Sequence, residues 1–175
     1  MARLFTRRNF LRGLAASGAA LTGGAVYARW GEPHWLEVTR FTVPRISGAA
    51  GSAPLRVLQL SDLHASPVVS FEFIDEAVTL GLAQKPDLIA LTGDFFTNRL
   101  PDPIRYAGIL ARLSAAAPTF ACLGNHDGGP WTGSAGGHAT IDEALALLRH
   151  ARITWLLNWS QSLTSKGARC NGSGS

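Results

Sequence analysis

From Leu55 onward the chain repeats one plan: a short apolar run, a few polar residues, then an amphipathic stretch. The apolar runs fall at 55–60, 87–91, 119–123 and 153–157. Each is of strand length, and the flanking Pro54, Pro86, Gly93, Pro118 and Gly124 argue against helix. Between the runs, apolar positions recur with the helical period. Phe71, Ile74, Ala77, Val78 and Leu82 follow Ser70, a residue of N-cap type, and Pro103 opens a second set made of Ile104, Ala107, Leu110 and Leu113. Thr140 and Glu143 read as a capping box ahead of Ala144, Leu145, Leu147 and Leu148. Strands alternating with helices predict an α/β fold built from βαβ units around parallel strands. Upstream, 35–43 is β-rich and is expected to form a leading edge strand. Residues 161–175 have no apolar period and are expected to be a disordered tail.

Composition narrows the class. A chain of 175 residues is one domain of ordinary size; 46% hydrophobic residues exclude intrinsic disorder, and two cysteines exclude a disulfide scaffold. Cys122 and Cys170 stand too far apart for a zinc ribbon, and Cys122, inside an apolar run, reads as a buried small hydrophobe. The net charge of +4 points to nucleic acid only until it is located. Arg3, Arg7, Arg8 and Arg12 occupy the first 28 residues without an acid, so 12 of the 16 basic residues remain against 12 acidic ones. Past residue 28 the chain is neutral, and no nucleic-acid partner is expected.

The first 28 residues have the basic, apolar and small-residue zones of a signal peptide, closing on Val26-Tyr27-Ala28 as the cleavage site. Arg7-Arg8 ahead of Phe10-Leu11 resembles the twin-arginine (Tat) signal, which is read by a receptor. The resemblance implies the Tat export machinery as a partner and a destination in the periplasm or on the outer face of the cytoplasmic membrane. Tat cargo is generally exported folded, often with a cofactor loaded. The alternative is an uncleaved amphiphilic segment that associates the protein with the membrane surface.

Candidate chemistry collects where three of the predicted strands end. The first runs into Asp62-Leu63-His64, the second into Gly93-Asp94, and the third into Gly124-Asn125-His126-Asp127. Ligands of open α/β sheets bind at the carboxyl ends of the strands, so these turns should converge. Carboxylate, amide oxygen and imidazole together suit divalent first-row metals, and one carboxylate shared by two ions assembles a two-metal site. Asp94, on the middle turn, is the natural bridge.

In this order, with Asp62 and Asp94 separated by 32 residues and Asp94 and Asn125 by 31, the motifs D-x-H, G-D and G-N-H-D resemble the signature of the calcineurin-like metallophosphoesterase family. The resemblance covers about residues 36–159. It implies part of a four-layer α/β/β/α sandwich with a mixed sheet, over a domain spanning 36–160. It also implies two divalent ions (Mn, Fe, Zn or similar), with Asp62 and His64 as ligands of the first, Asp94 as the bridge and Asn125 as a ligand of the second. His126 is then a catalytic residue that contacts the phosphoryl group or protonates the leaving oxygen, with Asp127 as its orienting partner. The implied reaction is hydrolysis of phosphomonoesters or phosphodiesters by hydroxide generated between two metals. Signal-bearing members with this order of elements resemble a branch acting on membrane phospholipids or lipid-linked nucleotide sugars, so lipid-linked phosphoesters are among the expected substrates.

The family's later ligands, a lone histidine and a G-H-x-H turn, have no counterpart after His150, so the domain is expected to be incomplete at its C-terminal side. The competing reading is a non-catalytic remnant that binds metal or phosphate. His138, in a Gly-rich loop, reads as solvated or as a substrate contact, and Trp131 as a pocket wall or loop packing.

Overall fold

The computed structural model describes residues 7–26, 35–44, 54–97, 100, 102–129, 137–157, 160–165 and 168–173. Val26-Tyr27-Ala28 extends beyond them, and Trp131 lies outside them.

The chain divides into two units, 1–39 and 40–175. In the first, Arg7–Val26 forms a 20-residue helix, α1, which is solvent-exposed over residues 7–24. Phe10, Leu11, Leu14 and Leu21 all stand out into solvent. Among the described residues no helix is long and apolar enough to cross a membrane.

The second unit holds the sheet. Strands β1 (Val57–Leu60), β2 (Leu88–Thr92), β3 (Thr119–Cys122) and β4 (Thr154–Trp155) lie side by side in chain order, every pair parallel. Each crossover carries a helix: α2 (Phe71–Leu82), α3 (Pro103–Ala116) and α4 (Asp142–His150). Helix α3 packs against both α2 and α4, so the three form one layer over the sheet. Their start signals act through identifiable bonds. The Ser70 hydroxyl accepts the Phe73 N–H at 3.2 Å, and the Asp102 carboxylate accepts the Arg105 N–H at 2.9 Å ahead of Pro103.

The core lies between this layer and one sheet face. Ile74 and Val78 of α2, Tyr106, Leu110 and Leu113 of α3, Leu148 of α4 and Ile89 and Leu91 of β2 are almost fully buried. Burial of each aliphatic side chain contributes about 1.5–3 kcal/mol. The pairing register places Leu58, Ile89 and Thr119 in one row and Leu60, Leu91 and Ala121 in the next on this face. Val57, Gln59 and Thr92 occupy the opposite face and are exposed.

Three expectations are corrected. Residues 35–44 take up no strand; Trp35, Phe41 and Val43 are 73%, 87% and 81% exposed, and a β-rich composition without a ladder partner does not make a strand. Helix α4 starts one residue later than a Thr140 cap requires, with Ile141 at the N-cap position; an isoleucine has no side-chain acceptor, so there is no side-chain cap, and the Glu143 carboxylate faces His138. In place of a patternless tail, β5 (Ser160–Ser165) and β6 (Ala168–Ser173) pair as an antiparallel hairpin from Ser160 with Ser173 to Ser165 with Ala168. A backbone ladder needs no apolar alternation, so nothing in the polar sequence announced it.

Candidate active site

The turns after β1 and β2 stay laced together beyond the strands. Backbone N–H groups of Asp62, His64 and Ala65 donate to the carbonyls of Gly93, Asp94 and Phe95 at 3.1, 2.9 and 3.0 Å, and Ala65 pairs with Phe96 as an isolated parallel bridge. Leu63 and Ala65 are buried while Asp62 and His64 retain exposure, which is what the D-x-H spacing achieves. On the second turn, Phe95 and Phe96 anchor in the core directly after Asp94.

Five described non-glycine residues have positive φ. Lys85 and Arg152 end helices; the other three are Asp62 (54°), His64 (43°) and Asp94 (54°). Left-handed backbone in three candidate ligands is strain concentrated where side chains must be aimed. The glycines allow the turns to meet. Gly93 has φ of 88°, and a Cβ there would lie 2.6 Å from the Gly124 Cα; a Cβ on Gly124 would collide with the Asp94 carboxylate.

The His64 imidazole lies between two carboxylates, with Nε2 3.7 Å from Asp62 Oδ1 and 3.6 Å from Asp94 Oδ2. Its Nδ1 is 3.0 Å from the Thr97 hydroxyl; with the proton on Nδ1, Nε2 offers its lone pair toward the carboxylates. The His126 ring stands edge-on to it, centroids 4.9 Å apart at 83°. One donor atom each from His64, Asp94 and His126 lies within 4.8 Å of the others. His126 Nδ1 is buried with no hydrogen-bond partner among the described residues. Two imidazoles and a carboxylate, one ring nitrogen shielded and unpaired, fit a divalent transition metal. Asn125 stands on the same turn as His126 and is exposed.

The expected partnership of Asp127 with His126 is corrected. Asp127 is fully buried, and its Oδ2 accepts the N–H groups of Asp94 and Gly124 at 2.8 Å each while Oδ1 accepts that of Phe95 at 2.7 Å. It holds the backbone of the second and third turns rather than the imidazole, because its neighbours in that pocket are unpaired amides. Burial pushes its carboxyl above the usual carboxylate range, against the pull of the three N–H donors. Asp94 Oδ1 in turn accepts the His126 N–H at 2.8 Å, closing a loop between the two turns. Behind them the buried Tyr106 hydroxyl donates to the Phe95 carbonyl at 2.8 Å, and burial raises its pKa well above the usual phenol range. Sequence reading missed Thr97 and Tyr106, since neither type nor spacing marked them.

A parallel sheet whose carboxyl ends present these residues defines the class: the chain belongs to the calcineurin-like phosphoesterase family, whose family model matches residues 55–167. Over 125 residues it is 39% identical to Phosphodiesterase YaeI of Escherichia coli (strain K12), covering 71% of this chain and 45% of that protein. It is 35% identical over 132 residues to the uncharacterized metallophosphoesterase YkuE of Bacillus subtilis (strain 168), covering 71% and 46%. It is 35% identical over 103 residues to UDP-2,3-diacylglucosamine pyrophosphatase LpxG of Chlamydia trachomatis, covering 58% and 31%. The chain thus spans less than half the length of each of these relatives.

Proposed function

We propose that the protein is a metal-dependent phosphoesterase with its reaction centre at the β1–β3 strand ends. The observation that carries this reading is the convergence of His64, Asp94 and His126 within 4.8 Å, in a chain of a phosphoesterase family. Asp62, His64, Asp94 and Asn125 would hold two divalent ions, and His126, although its donor atom lies in the same group, is reserved for the phosphoryl group. When bound, the ions supply activation of water and neutralisation of the phosphoryl oxygens. Asp127 and Tyr106 bond the turn that bears Asp94, Thr97 would favour the His64 tautomer with its proton on Nδ1, and His126 would hold a phosphoryl oxygen or give a proton to the leaving one. A phosphodiester or diphosphate, lipid-linked as in the substrate named for the chlamydial relative, is the proposed substrate class.

The test is hydrolysis of bis(p-nitrophenyl) phosphate by the full chain with and without Mn²⁺, alongside Asp94→Ala. Metal-dependent turnover lost in the variant supports the reading. Mn²⁺ binding without turnover assigns the chain to the non-catalytic alternative.

Export through the Tat route is proposed from Arg7-Arg8 at the start of an exposed helix with no acidic residue in its first turn. Replacing both arginines by lysine should retain the protein in the cytoplasm; unchanged export overturns it.

A further inference from the structure

The loop residue His138 is not solvated. Its side chain is 13% exposed, and Nε2 is buried with no hydrogen-bond partner among the described residues. Nδ1 lies 3.1 Å from Glu143 Oε2, so the carboxylate holds the proton on that nitrogen. The ring packs edge-on against Phe96, centroids 4.5 Å apart at 72°, and Phe96 is fully buried two residues after Asp94. The His138 backbone N–H donates to the His126 carbonyl at 3.2 Å. The Glu143 backbone is fixed, because it sits in the first turn of α4, whose Ala144, Leu145, Leu147 and Leu148 are buried.

We propose that His138 is a positioning residue, locked by Glu143, which fixes the turn that presents His126 to His64 and Asp94. One residue thereby joins three elements: its ring touches the Asp94 turn, its backbone holds the His126 turn, and its carboxylate partner rides on a helix tied to the core. His126 needs such support, since its Nδ1 has no side-chain restraint among the described residues and its backbone is held by Asp94 Oδ1 on one side and by the His138 N–H on the other. Removing the His138 side chain leaves that N–H in place but frees the segment presenting it. The inference rests on the phosphoesterase reading for what the turn serves.

The experiment uses the full metal-free chain and compares wild type, His138→Ala, Glu143→Ala and Glu143→Gln. Long-range ¹H–¹⁵N spectra report the His126 ring, and hydrogen exchange reports the residue 138 amide. Wild type should show His138 protonated on Nδ1. Both alanine variants should shift or broaden the His126 ring signals and speed the residue 138 amide at least tenfold. Glu143→Gln, whose amide oxygen accepts the same N–H, should stay within about twofold of wild type. Unmoved His126 signals and exchange in the alanine variants, even with a lowered Tm, would overturn the proposal by showing a purely structural role. Should His138→Ala not fold, Glu143→Ala decides, because Glu143 is half-exposed. A Mn²⁺ titration separates the two readings. Binding about tenfold weaker in Glu143→Ala is expected; no binding by wild type sinks the metal reading, while the spectra still decide the positioning one.

Discussion

Asp127 supports Asp94 from behind: its buried carboxylate accepts the Asp94 backbone N–H at 2.8 Å, while Asp94 faces His64 with Oδ2 and holds the His126 N–H with Oδ1. Asp127→Ala strands three N–H donors in a buried pocket and should lower stability by about 3 kcal/mol or more, since each unsatisfied group costs about 1–3 kcal/mol. Asp127→Asn, with its oxygen at the Oδ2 position, keeps two of the three bonds and should fall between alanine and wild type. Urea unfolding of the three proteins checks the order.

Thr97 is expected to influence metal binding through its contact with His64 Nδ1. Thr97→Val removes the hydroxyl beside Nδ1 and keeps the shape, so metal affinity should fall by about 10–100-fold with the fold intact. Calorimetric titration with Mn²⁺ is the measurement.

Gly124 cannot carry a side chain without displacing the Asp94 carboxylate. Gly124→Ala should therefore cost about 1–3 kcal/mol of stability and weaken metal binding as well. A variant that keeps wild-type metal affinity would show that the turn moves freely.

His126→Ala should reduce turnover by about 10²–10⁴ if the imidazole acts on the phosphoryl or leaving oxygen, with metal content held. Atomic absorption on the purified variant provides the check; loss of metal together with activity would reassign His126 as a ligand.

Cys122 is half-buried rather than buried, and this partial burial raises its thiol above its ordinary pKa, so less thiolate exists at any given pH. Alkylation of Cys122 by iodoacetamide at pH 8 should run several-fold slower than that of free cysteine, and should accelerate on denaturation.

Four strands and three helices were legible because their signals are local: Pro and Gly beside apolar runs, Ser70 before Phe71, Pro103 at a helix start. The site turns were legible for the same reason, each motif following its strand directly. What sequence did not reveal depends on which partner a group takes in the folded chain. Asp127 reads as a partner for the adjacent His126, but its bonds run to Asp94 and Phe95, more than thirty residues away. Glu143 reads as a helix cap until His138 claims it. The hairpin from Ser160 to Ser173 is made by backbone pairing, to which composition is blind.

Because spatial order in the sheet equals chain order, each strand can dock on an edge already formed by the one before it. In that order of assembly the candidate site residues would come together in sequence, Asp62 and His64 with Asp94 when β2 adds to β1, and His126 and Asp127 when β3 follows. Until then the Asp94 and Phe95 amides lack their acceptor, and the second turn has no reason to hold its left-handed backbone. Docking of β3 is then the step expected to complete the site, and pulsed hydrogen exchange during refolding should protect the Asp94 amide no earlier than the amides of β3.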